Sequence, residues 1–594
     1  MNVYNELIDL AEKEYNSLVE NMPKDDIYRS LIFIETIRQL DCISFGYNNT
    51  DDNNLQFTDT IKNGWHLAAF HLFKPVTFAG FLLASNDKEI QEYAEYILYQ
   101  FGCIQLLKRT AEMIKSGMLS VSKDDDKQYY FKMQDIAKYQ FVDEMYFRHF
   151  YKIKNEIEKN KDGYLSGWNL VKYDDVEKIF TKEGNYFSVN NSKFRNDLLL
   201  SDIDSIMLPL LKPWAKRETI ISYGSTKEID NHFLVQATDL IKKWQDEAGF
   251  HPDIVINGIT AAYLMSVTTL IVALHLKHLK YIELASKNYP QISIYESITI
   301  WEKFDDLVNS IEMFTGYNKK IISTALNLIT LEEKDVSNLR SFTSRFMPLL
   351  IDIGEGYVLR PVSGILENPF VTIFSLLENR NQNFKHDLSK PREEWLRTNL
   401  YAAFAGNRYQ TIFGNINLRN NGIIVTDIDA AVFDNLTGEL ALFQIKWQDF
   451  FYMDIKKLRS KASNLTKDID DWADKVTNWI DIKGKKELSK SLRLKGKGGI
   501  NITEIFLFGL SKNAAQMLGY GFEFKSKDIA MCNWSQFQKN RTEIGPADKV
   551  ISNLFKVLKQ QATENKIKTK PMPVTFEFAE VSLHFQDLWN VIEE

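Results

Sequence analysis

Four polar residues suited to metal and phosphate chemistry lie in the segment GIIVTDIDAAVFDNLTGELALFQIKW (422–447): Asp427, Asp429, Gln444 and Lys446. Alanines and large apolar residues surround them. Carboxylate and amide oxygens are hard ligands that suit Mg²⁺. A neighbouring lysine can stabilise negative charge on a phosphate or orient an attacking water. These residue types are therefore typical of a site for metal-assisted hydrolysis.

A β-hairpin would bring the four side chains together. Two β-rich runs flank the segment 435–438, which has the composition of a turn. A loop of two or four residues places Asp429 opposite Gln444. It also places Asp427 opposite Lys446, with the Cβ atoms of each pair about 4.5–5.5 Å apart on one face. A loop of three or five residues would send these side chains to opposite faces.

Two interpretations explain such a convergence. Buried carboxylates without partners are costly, so a structural role requires an internal ion pair of Asp427 and Lys446 beside a hydrogen-bonded Gln444. The other interpretation is a divalent-metal site in which backbone carbonyl, amide and carboxylate oxygens bind the ion.

The arrangement resembles the PD-(D/E)XK nuclease superfamily. Its pattern is an acidic residue on one strand, followed on the next strand by an acid or Gln, any residue and Lys. The matching residues here are Asp429, Gln444, Ile445 and Lys446, with the Gln variant found in Mrr-type restriction enzymes. The resemblance covers about residues 385–540.

The resemblance implies a role for each matched residue. Asp429 would be a metal ligand, and Gln444 a further ligand or a positioning group. The main-chain carbonyl of Ile445 would complete the strand-borne ligands. Lys446 would act on the side of the catalytic base, and Asp427 would be auxiliary. The implied cofactor is Mg²⁺ or Mn²⁺, and the implied substrate is DNA.

The superfamily often adds a glutamate from the preceding helix, here predicted over residues 390–404. The apolar residues Leu396, Leu400 and Phe404 define the face expected to pack on the sheet. Glu393 lies three residues before Leu396 and shares that face, whereas Glu394 points closer to Arg397 and Thr398. We expect Glu393 to join the catalytic and metal-binding residues, with Glu394 as the second choice. Acidic residues in a first helical turn are equally explained by the helix dipole.

Basic residues are concentrated in KGKKELSKSLRLKGKGG (483–499), which follows a predicted long helix over 452–480. They are Lys483, Lys485, Lys486, Lys490, Arg493, Lys495 and Lys497. In a chain of net charge −7, this segment is expected to contact a DNA backbone beside the candidate site. The alternative is a solvated loop. The preceding helix would extend the patch through Lys456, Lys457, Arg459 and Lys461.

The elements that must position the site begin near residue 385. Residues 385–560 follow the order α-β-β-β-α-β, which predicts an α/β domain; the resemblance implies a restriction-endonuclease-like domain with a central mixed sheet. Residues 1–160 have apolar spacings of three and four and predict a helical domain. Residues 161–384 predict a mainly helical second domain with a small extended segment near 346–370. Residues 561–594 form a C-terminal extension. The expected fold class is multidomain, mainly α-helical first and α/β afterwards.

Cysteine usage and the N-terminus indicate the cytoplasm. The three cysteines, Cys42, Cys103 and Cys532, are far apart, which excludes a disulfide framework and a zinc ribbon. The first residues lack the features of a signal peptide. Residues 254–273 are apolar and long enough to span a bilayer, but their isolated polar residues favour a buried core helix. We therefore expect a cytoplasmic protein with no membrane partner.

Other catalytic motifs are missing from the sequence. It contains no phosphate-binding GxxxxGK[ST], no GxSxG and no HExxH. His275 and His278 have helical spacing but no third metal ligand, so we expect them at the surface or at a helix cap.

The expected function is that of a metal-dependent DNA endonuclease, of the kind used in bacterial restriction or anti-phage defence. Its helical region would sense a signal, oligomerise or bind a partner protein. The alternative is a non-catalytic nucleic-acid-binding or scaffold protein that retains the nuclease fold. That alternative is favoured by Gln444, because an amide in place of an acid removes one negative charge from the site.

Overall fold

In the computed structural model, the chain forms two compact units. The first comprises Met1–Arg109 and Lys178–Leu388, and the second comprises Thr110–Glu177 and Ser389–Glu594. The residues described are 3–47, 55–75, 87–124, 127–134, 164–165, 168–169, 200, 202–248, 250, 254–339, 347–381, 383–412, 415–447, 455–495, 500–512, 524–526, 528–563 and 569–591.

The helices of these residues are α1 Val3–Glu20, α2 Asp26–Ser44, α3 Leu55–Leu72, α4 Lys88–Lys115, α5 Ile203–Met207, α6 Lys227–Ala248, α7 Ala261–Asn288, α8 Ile294–Ser297, α9 Phe304–Thr315, α10 Lys319–Ile329, α11 Val336–Leu339, α12 Pro369–Arg380, α13 Phe384–Ala402, α14 Ile455–Ser491, α15 Trp534–Ile544 and α16 Val550–Thr563. The strands are β1 Leu119–Lys123, β2 Gln128–Met133, β3 Tyr164–Leu165, β4 Trp168–Asn169, β5 Leu211–Trp214, β6 Arg217–Tyr223, β7 Val255–Ile256, β8 Ile259–Thr260, β9 Ile300–Lys303, β10 Thr330–Leu331, β11 Leu350–Gly354, β12 Tyr357–Arg360, β13 Tyr409–Ile412, β14 Ile416–Asn420, β15 Ile423–Ile428, β16 Ala430–Asp434, β17 Glu439–Lys446, β18 Glu504–Ser511, β19 Ile529–Asn533, β20 Thr569–Phe578 and β21 Val581–Val591.

Helix α7 lies in the core of the first unit. It begins at Ala261, after the short β7–β8 hairpin, so the apolar run 254–273 is only partly helical. The helix is long and apolar enough to cross a membrane, yet 67% of its most apolar window is buried. Hydroxyl groups within it donate to the preceding turn, as Thr268 does to the Leu264 carbonyl at 2.7 Å. Burial with satisfied hydroxyl groups is what the core-helix interpretation requires.

The two histidines of α7 are core residues, so the expectation of a surface or capping position was wrong. Burial lowers the pKa of both His275 and His278 to about 3, which keeps the imidazoles neutral. The side chain of His278 hydrogen-bonds the Tyr223 hydroxyl at 2.8 Å, and that of His275 bonds the Ile271 carbonyl at 2.7 Å. The i,i+3 spacing therefore serves packing.

The extended segment predicted near residues 346–370 is present as β11 and β12. These strands join β9 and β10 in a four-stranded sheet of order β10-β11-β12-β9. The helical region is therefore interrupted by a sheet at the point where Gly and Pro residues occur within a run of alternating apolar residues.

The second unit contains the mixed sheet, and its strand order is β13-β16-β17-β18-β19. β16 is antiparallel to β13 and β17, whereas β18 is parallel to β17 and β19. Phe443 and Phe508 stack at 4.9 Å on one face, where the ring of Phe508 also meets Phe555 of α16. On the other face, a Cβ on Gly509 would lie 2.8 Å from Ile469 of α14, so glycine permits the close helix packing. Helices thus cover both faces, and the expectation of an α/β region after the helical one is confirmed.

Strands from the predicted helical domain (1–160) and from the C-terminal extension (561–594) form one small sheet of the second unit. Its order is β1-β2-β21-β20, so the two chain regions pair through β2 and β21. The interpretation of residues 1–160 as helices only was therefore wrong for 119–123 and 128–133. Their alternating pattern, with Tyr129, Phe131 and Met133 buried, identifies strands once the partner strands are known.

The β16–β17 turn restricts residue size at Gly438. Its φ is +74°, and a Cβ there would lie 2.7 Å from the Asn501 carbonyl oxygen. Gly422 has φ +83° but no atom within 4 Å of such a Cβ. We expect Gly438→Ala to lower the unfolding free energy by about 2 kcal/mol and Gly422→Ala by about 1 kcal/mol. Urea denaturation measures both, and equal losses would contradict the steric explanation.

Candidate active site

The hairpin formed by β16 and β17 has the predicted register. Ala430 pairs with Phe443 and Phe433 with Leu440, around the four-residue turn 435–438. The ladder ends just before Asp429, whose amide donates to the Phe443 carbonyl at 3.1 Å. The predicted hairpin register is confirmed for residues 430–433.

Asp429 lies at the point where the chain leaves the β14–β15 hairpin and enters the main sheet. Its side chain is 5% exposed. The Oδ2 atom accepts hydrogen bonds from Gln444 Nε2 at 2.5 Å and from the Ile445 amide at 2.7 Å. Asp429 and Gln444 are therefore in direct contact, as the predicted register requires.

Asp427 is not paired with Lys446, so that part of the hairpin prediction was wrong. The first of the two predicted β-rich runs is divided at Asp429 into β15 and β16, and β15 pairs with β14, where Asp427 faces Asn417. The Asp427 carbonyl accepts a hydrogen bond from Trp472 Nε1 at 2.7 Å. The passage of the chain from one sheet to the next cannot be recognised from the alternation of apolar and polar residues, because the residues before and after it have the pattern of a single strand.

The acidic residues still form one electrostatic group around Lys446. Burial, and to a smaller extent the charges of Asp427 and Glu393, raise the pKa of Asp429 to about 7, although the Ile445 amide and Lys446 act in the opposite direction. Burial also raises the pKa of the half-buried Glu393, which Lys446 and Arg397 oppose. Burial is the largest cause of both shifts, and the smaller contributions of Asp427, Glu393 and Lys446 are those of neighbouring charges.

The helix α13 begins at Phe384 rather than at residue 390, and it buries the predicted apolar face. Glu393 interacts with the electrostatic group. Glu394 is exposed and forms an ion pair with Arg397 instead. The structure therefore places Glu393 beside the other acids and turns Glu394 away.

Arg397 is a positioning residue that the sequence alone did not indicate. Its Nε donates to the main-chain carbonyl of Asp429 at 2.6 Å, and its Nη atoms donate to Glu394 and Asn415. The buried guanidinium of Arg397 thus connects α13 to the main chain at Asp429, between β15 and β16. Its spacing of four residues from Glu393, on the same helix face, is the signal that could have identified it.

We expect Arg397→Lys to lower the unfolding free energy by about 1–2 kcal/mol, because an ammonium cannot reproduce three diverging donors. Urea denaturation followed by circular dichroism measures the change. Arg459→Lys, at an exposed position of α14, is the control and should change little. Equal stability of the two variants would contradict the role assigned to Arg397.

The donor atoms around Asp429 fit a small divalent cation in kind. Both side-chain hydrogen bonds of Asp429 that involve described residues fall on Oδ2, which leaves Oδ1 for a ligand. Within a strand, the N–H and C=O of one residue point to the same side, so the Ile445 carbonyl faces the Asp429 side. Among the described residues no three His, Cys, Asp or Glu side chains are grouped to hold a metal. Mg²⁺ usually keeps several waters and needs one or two carboxylates, so the fit remains chemically adequate.

Two tryptophans and two cations form a cluster next to Lys446. The rings of Trp395 and Trp447 are 5.9 Å apart. The Arg392 guanidinium lies 5.0 Å from the Trp447 ring centroid and Lys512 Nζ 4.6 Å from that of Trp395. The Lys512 amide donates to the Lys446 carbonyl at 3.1 Å. This cluster fixes the end of β17 that carries the lysine.

The basic segment does not lie beside this site, so that expectation was wrong. Residues up to Ser491 continue α14, with non-helical backbone at Gly484. Lys485 Nζ donates to the Thr503 carbonyl at 2.6 Å, next to the start of β18, where Glu504 pairs with Glu439. Lys446 lies at the opposite end of β17. A strand of this length places the two ends about 23 Å apart.

The remaining basic residues are distributed over the same unit. Lys486, Lys490, Arg493 and Lys495 are exposed, Lys483 is half-buried, and Lys497 lies outside the described residues. Arg459 and Lys461 are exposed near the start of α14, whereas the basic segment begins near its end, so Trp472 lies between the two groups along the helix. The side chains of Lys456 and Lys457 are not among those described. The two basic groups are therefore separated along α14 and do not extend one another.

Comparison of this chain with protein-family models, with curated proteins and with solved structures gives no match. The interpretation of the site therefore depends on its own residues.

Proposed function

We propose that this protein is a metal-dependent endonuclease that hydrolyses phosphodiester bonds of DNA, with Mg²⁺ or Mn²⁺ as cofactor. The observation that supports it most is the environment of Asp429. This nearly buried carboxylate accepts hydrogen bonds from Gln444 and from the Ile445 amide. Its pKa is also affected by the charges of Asp427, Glu393 and Lys446. A buried carboxylate beside two half-buried acids is costly unless a ligand or a reaction uses it.

The residues have distinct proposed roles. Asp429, the Ile445 carbonyl and Glu393 would hold the ion, while Gln444 fixes the carboxylate of Asp429. Lys446 would stabilise the negative charge that develops on the phosphate and orient the attacking water. Asp427 would add negative potential. When bound, the ion supplies Lewis-acid polarisation of the phosphate and a lower pKa for water.

A non-catalytic role on the same fold is the second candidate. Gln444 is neutral, and its Nε2 is engaged with Asp429. The described residues also include no group of three acids placed around a metal position. Calorimetry that detects DNA binding but no Mg²⁺ or Mn²⁺ binding would favour a scaffold or nucleic-acid-binding protein.

We propose that the first unit senses a signal, oligomerises or binds a partner protein. A cytoplasmic restriction or anti-phage effector of bacteria would combine such a region with a nuclease. This assignment is by analogy of layout.

Incubation of the protein with plasmid DNA and Mg²⁺ tests the proposed function. We expect nicking or linearisation by the wild type and none by Asp429→Ala or Lys446→Ala. Equal cleavage by all three proteins would exclude the site. If none of them cleaves, calorimetric Mn²⁺ binding by the wild type, lost in Asp429→Ala, would still support a metal centre.

We expect the affinity for Mg²⁺ to fall as the pH is lowered. The pKa of Asp429 is raised to about 7, and only the ionised carboxylate binds the ion. The dissociation constant should therefore rise about tenfold from pH 8 to pH 6, since protons compete with the metal. Calorimetric titrations at these pH values measure it. A constant affinity over this range would show that Asp429 is not a ligand.

A further inference from the structure

The tip of the β14–β15 hairpin (residues 419–425) exposes a continuous apolar run. Ile423 is 73% exposed, Ile424 49% and Val425 37%. Successive side chains of a strand point to opposite faces, so exposure of all three means that both faces of the tip are open. Contiguous exposed apolar residues are a typical sign of an interaction surface.

The tip is narrow and has a defined shape. Asn420 pairs with Ile423, so the loop consists of Asn421 and Gly422, with φ values of +48° and +83°. Two consecutive positive φ values are those of a type I′ turn, which matches the twist of the strands. The register shifts beside Arg419, so that one extra residue on β15 forms a bulge. A tight turn of this kind presents a thin edge rather than a flat face.

Basic and amide groups surround the apolar residues. Arg419 is exposed, and its Nη1 donates to the Gly422 carbonyl at 2.9 Å. Trp479 Nε1 donates to the Arg419 carbonyl at 2.9 Å, which fixes the tip against α14. One helical turn beyond Trp479 lies Lys483, the first residue of the basic segment. Positive charge therefore lies at the tip on Arg419 and near it on Lys483, with the exposed Asp481 between Trp479 and Lys483.

We propose that the hairpin tip enters a groove of duplex DNA while the basic segment contacts the phosphates. Groove-binding elements combine Arg and Asn with apolar residues that wedge against base steps, and the tip has this composition. Positive charge beside it complements the phosphate backbone. The inference rests on the proposed function, and it names the substrate as duplex.

The hairpin also connects the groove contact to the site. Within β15, Asp427 of the candidate site lies four residues after Ile423, and a strand covers about 13 Å over that length. Duplex DNA rises about 3.4 Å per base pair along each strand, so the contact would lie about four base pairs from the candidate site.

Fluorescence anisotropy with a labelled duplex of random sequence, in EDTA, tests the proposal on the full chain. The variant is Ile423→Ser combined with Ile424→Ser. The control is Leu436→Ser, which changes another exposed apolar residue of the same unit, in the β16–β17 turn. We expect the dissociation constant of the tip variant to rise about tenfold, equivalent to about 1.4 kcal/mol, and that of the control less than twofold. Because all three residues are exposed, thermal melting should show unchanged folding.

Three results would overturn the proposal: no duplex binding by the wild type, equal affinity of tip variant and control, or tighter binding of a single strand than of the duplex. Light scattering that shows a wild-type dimer and a monomeric tip variant, with equal DNA affinity, would identify a self-association surface instead and also overturn it. EDTA prevents metal-dependent cleavage, so the measurement does not depend on catalysis. Tip-dependent binding without any cleavage in Mg²⁺ would leave this inference standing and count against the nuclease alone.

Discussion

Replacement of Lys446 by alanine is expected to reduce Mg²⁺-dependent cleavage of plasmid DNA by about 10²–10³-fold, the usual effect of removing one group that stabilises transition-state charge. Lys446 is the cation that opposes the raised pKa values of both Asp429 and Glu393, so it lies within the group of acids. Single-turnover rates at saturating protein measure the effect without interference from binding.

Lys556→Ala is the matched control for this variant. Lys556 is an exposed lysine of α16 with no proposed role in the site or in DNA binding, and its removal should leave the rate within about twofold, as for a distant surface charge. Melting temperatures of the two variants exclude unfolding as the cause. A Lys446→Ala rate close to the wild type, with normal folding, would remove Lys446 from the mechanism and favour the non-catalytic alternative.

Replacement of Asp429 by asparagine is expected to abolish metal-dependent cleavage and at the same time to stabilise the metal-free protein above neutral pH. In the folded chain the pKa of Asp429 is about 7, above the value of 3.8 expected without burial. The cost of ionising it is therefore absent below about pH 4, grows as the pH rises, and is complete above about pH 7. A shift of this size corresponds to a few kcal/mol. Asparagine keeps an oxygen to accept from the Ile445 amide but carries no charge.

Thermal melting in EDTA at pH 5 and pH 8.5 measures this effect. The variant should gain more stability relative to the wild type at the higher pH. Asp434→Asn is the control of opposite sign: that carboxylate is also buried, but Arg408 Nη2 donates to it at 2.7 Å, so loss of its charge should destabilise the protein. Destabilisation by Asp429→Asn at pH 8.5 would contradict the claim that the ionised Asp429 carboxylate lowers the stability of the metal-free protein.

The parts of the site that depend on local pattern could be predicted from the sequence. The turn composition and the β-rich runs specify the register that brings Gln444 to Asp429, because a shift by one residue would expose the apolar face. The apolar face of α13 similarly distinguishes Glu393 from Glu394. These predictions use periodicity, which is the strongest signal that a single sequence contains.

The parts that depend on long-range pairing could not be predicted. The pairing of β15 with β14 moved Asp427 out of the main hairpin, although its charge still acts on Asp429. Strands β2 and β21 come from distant parts of the chain, and hydrophobic spacing does not name a strand's partner. The basic segment was read as a loop beside the site because charge density reports exposure and not location. Arg397 contacts the site through the main-chain carbonyl of Asp429, which no side-chain motif encodes.

The central claim is that Asp429 and the Ile445 carbonyl bind a divalent cation. Anomalous diffraction from a crystal of the full chain soaked with Mn²⁺ tests it most directly. We predict a peak at bonding distance, about 2.1–2.5 Å, from an Asp429 carboxylate oxygen and from the Ile445 carbonyl oxygen. Saturating Mn²⁺ with no peak at Asp429, or with peaks only elsewhere, would contradict the claim.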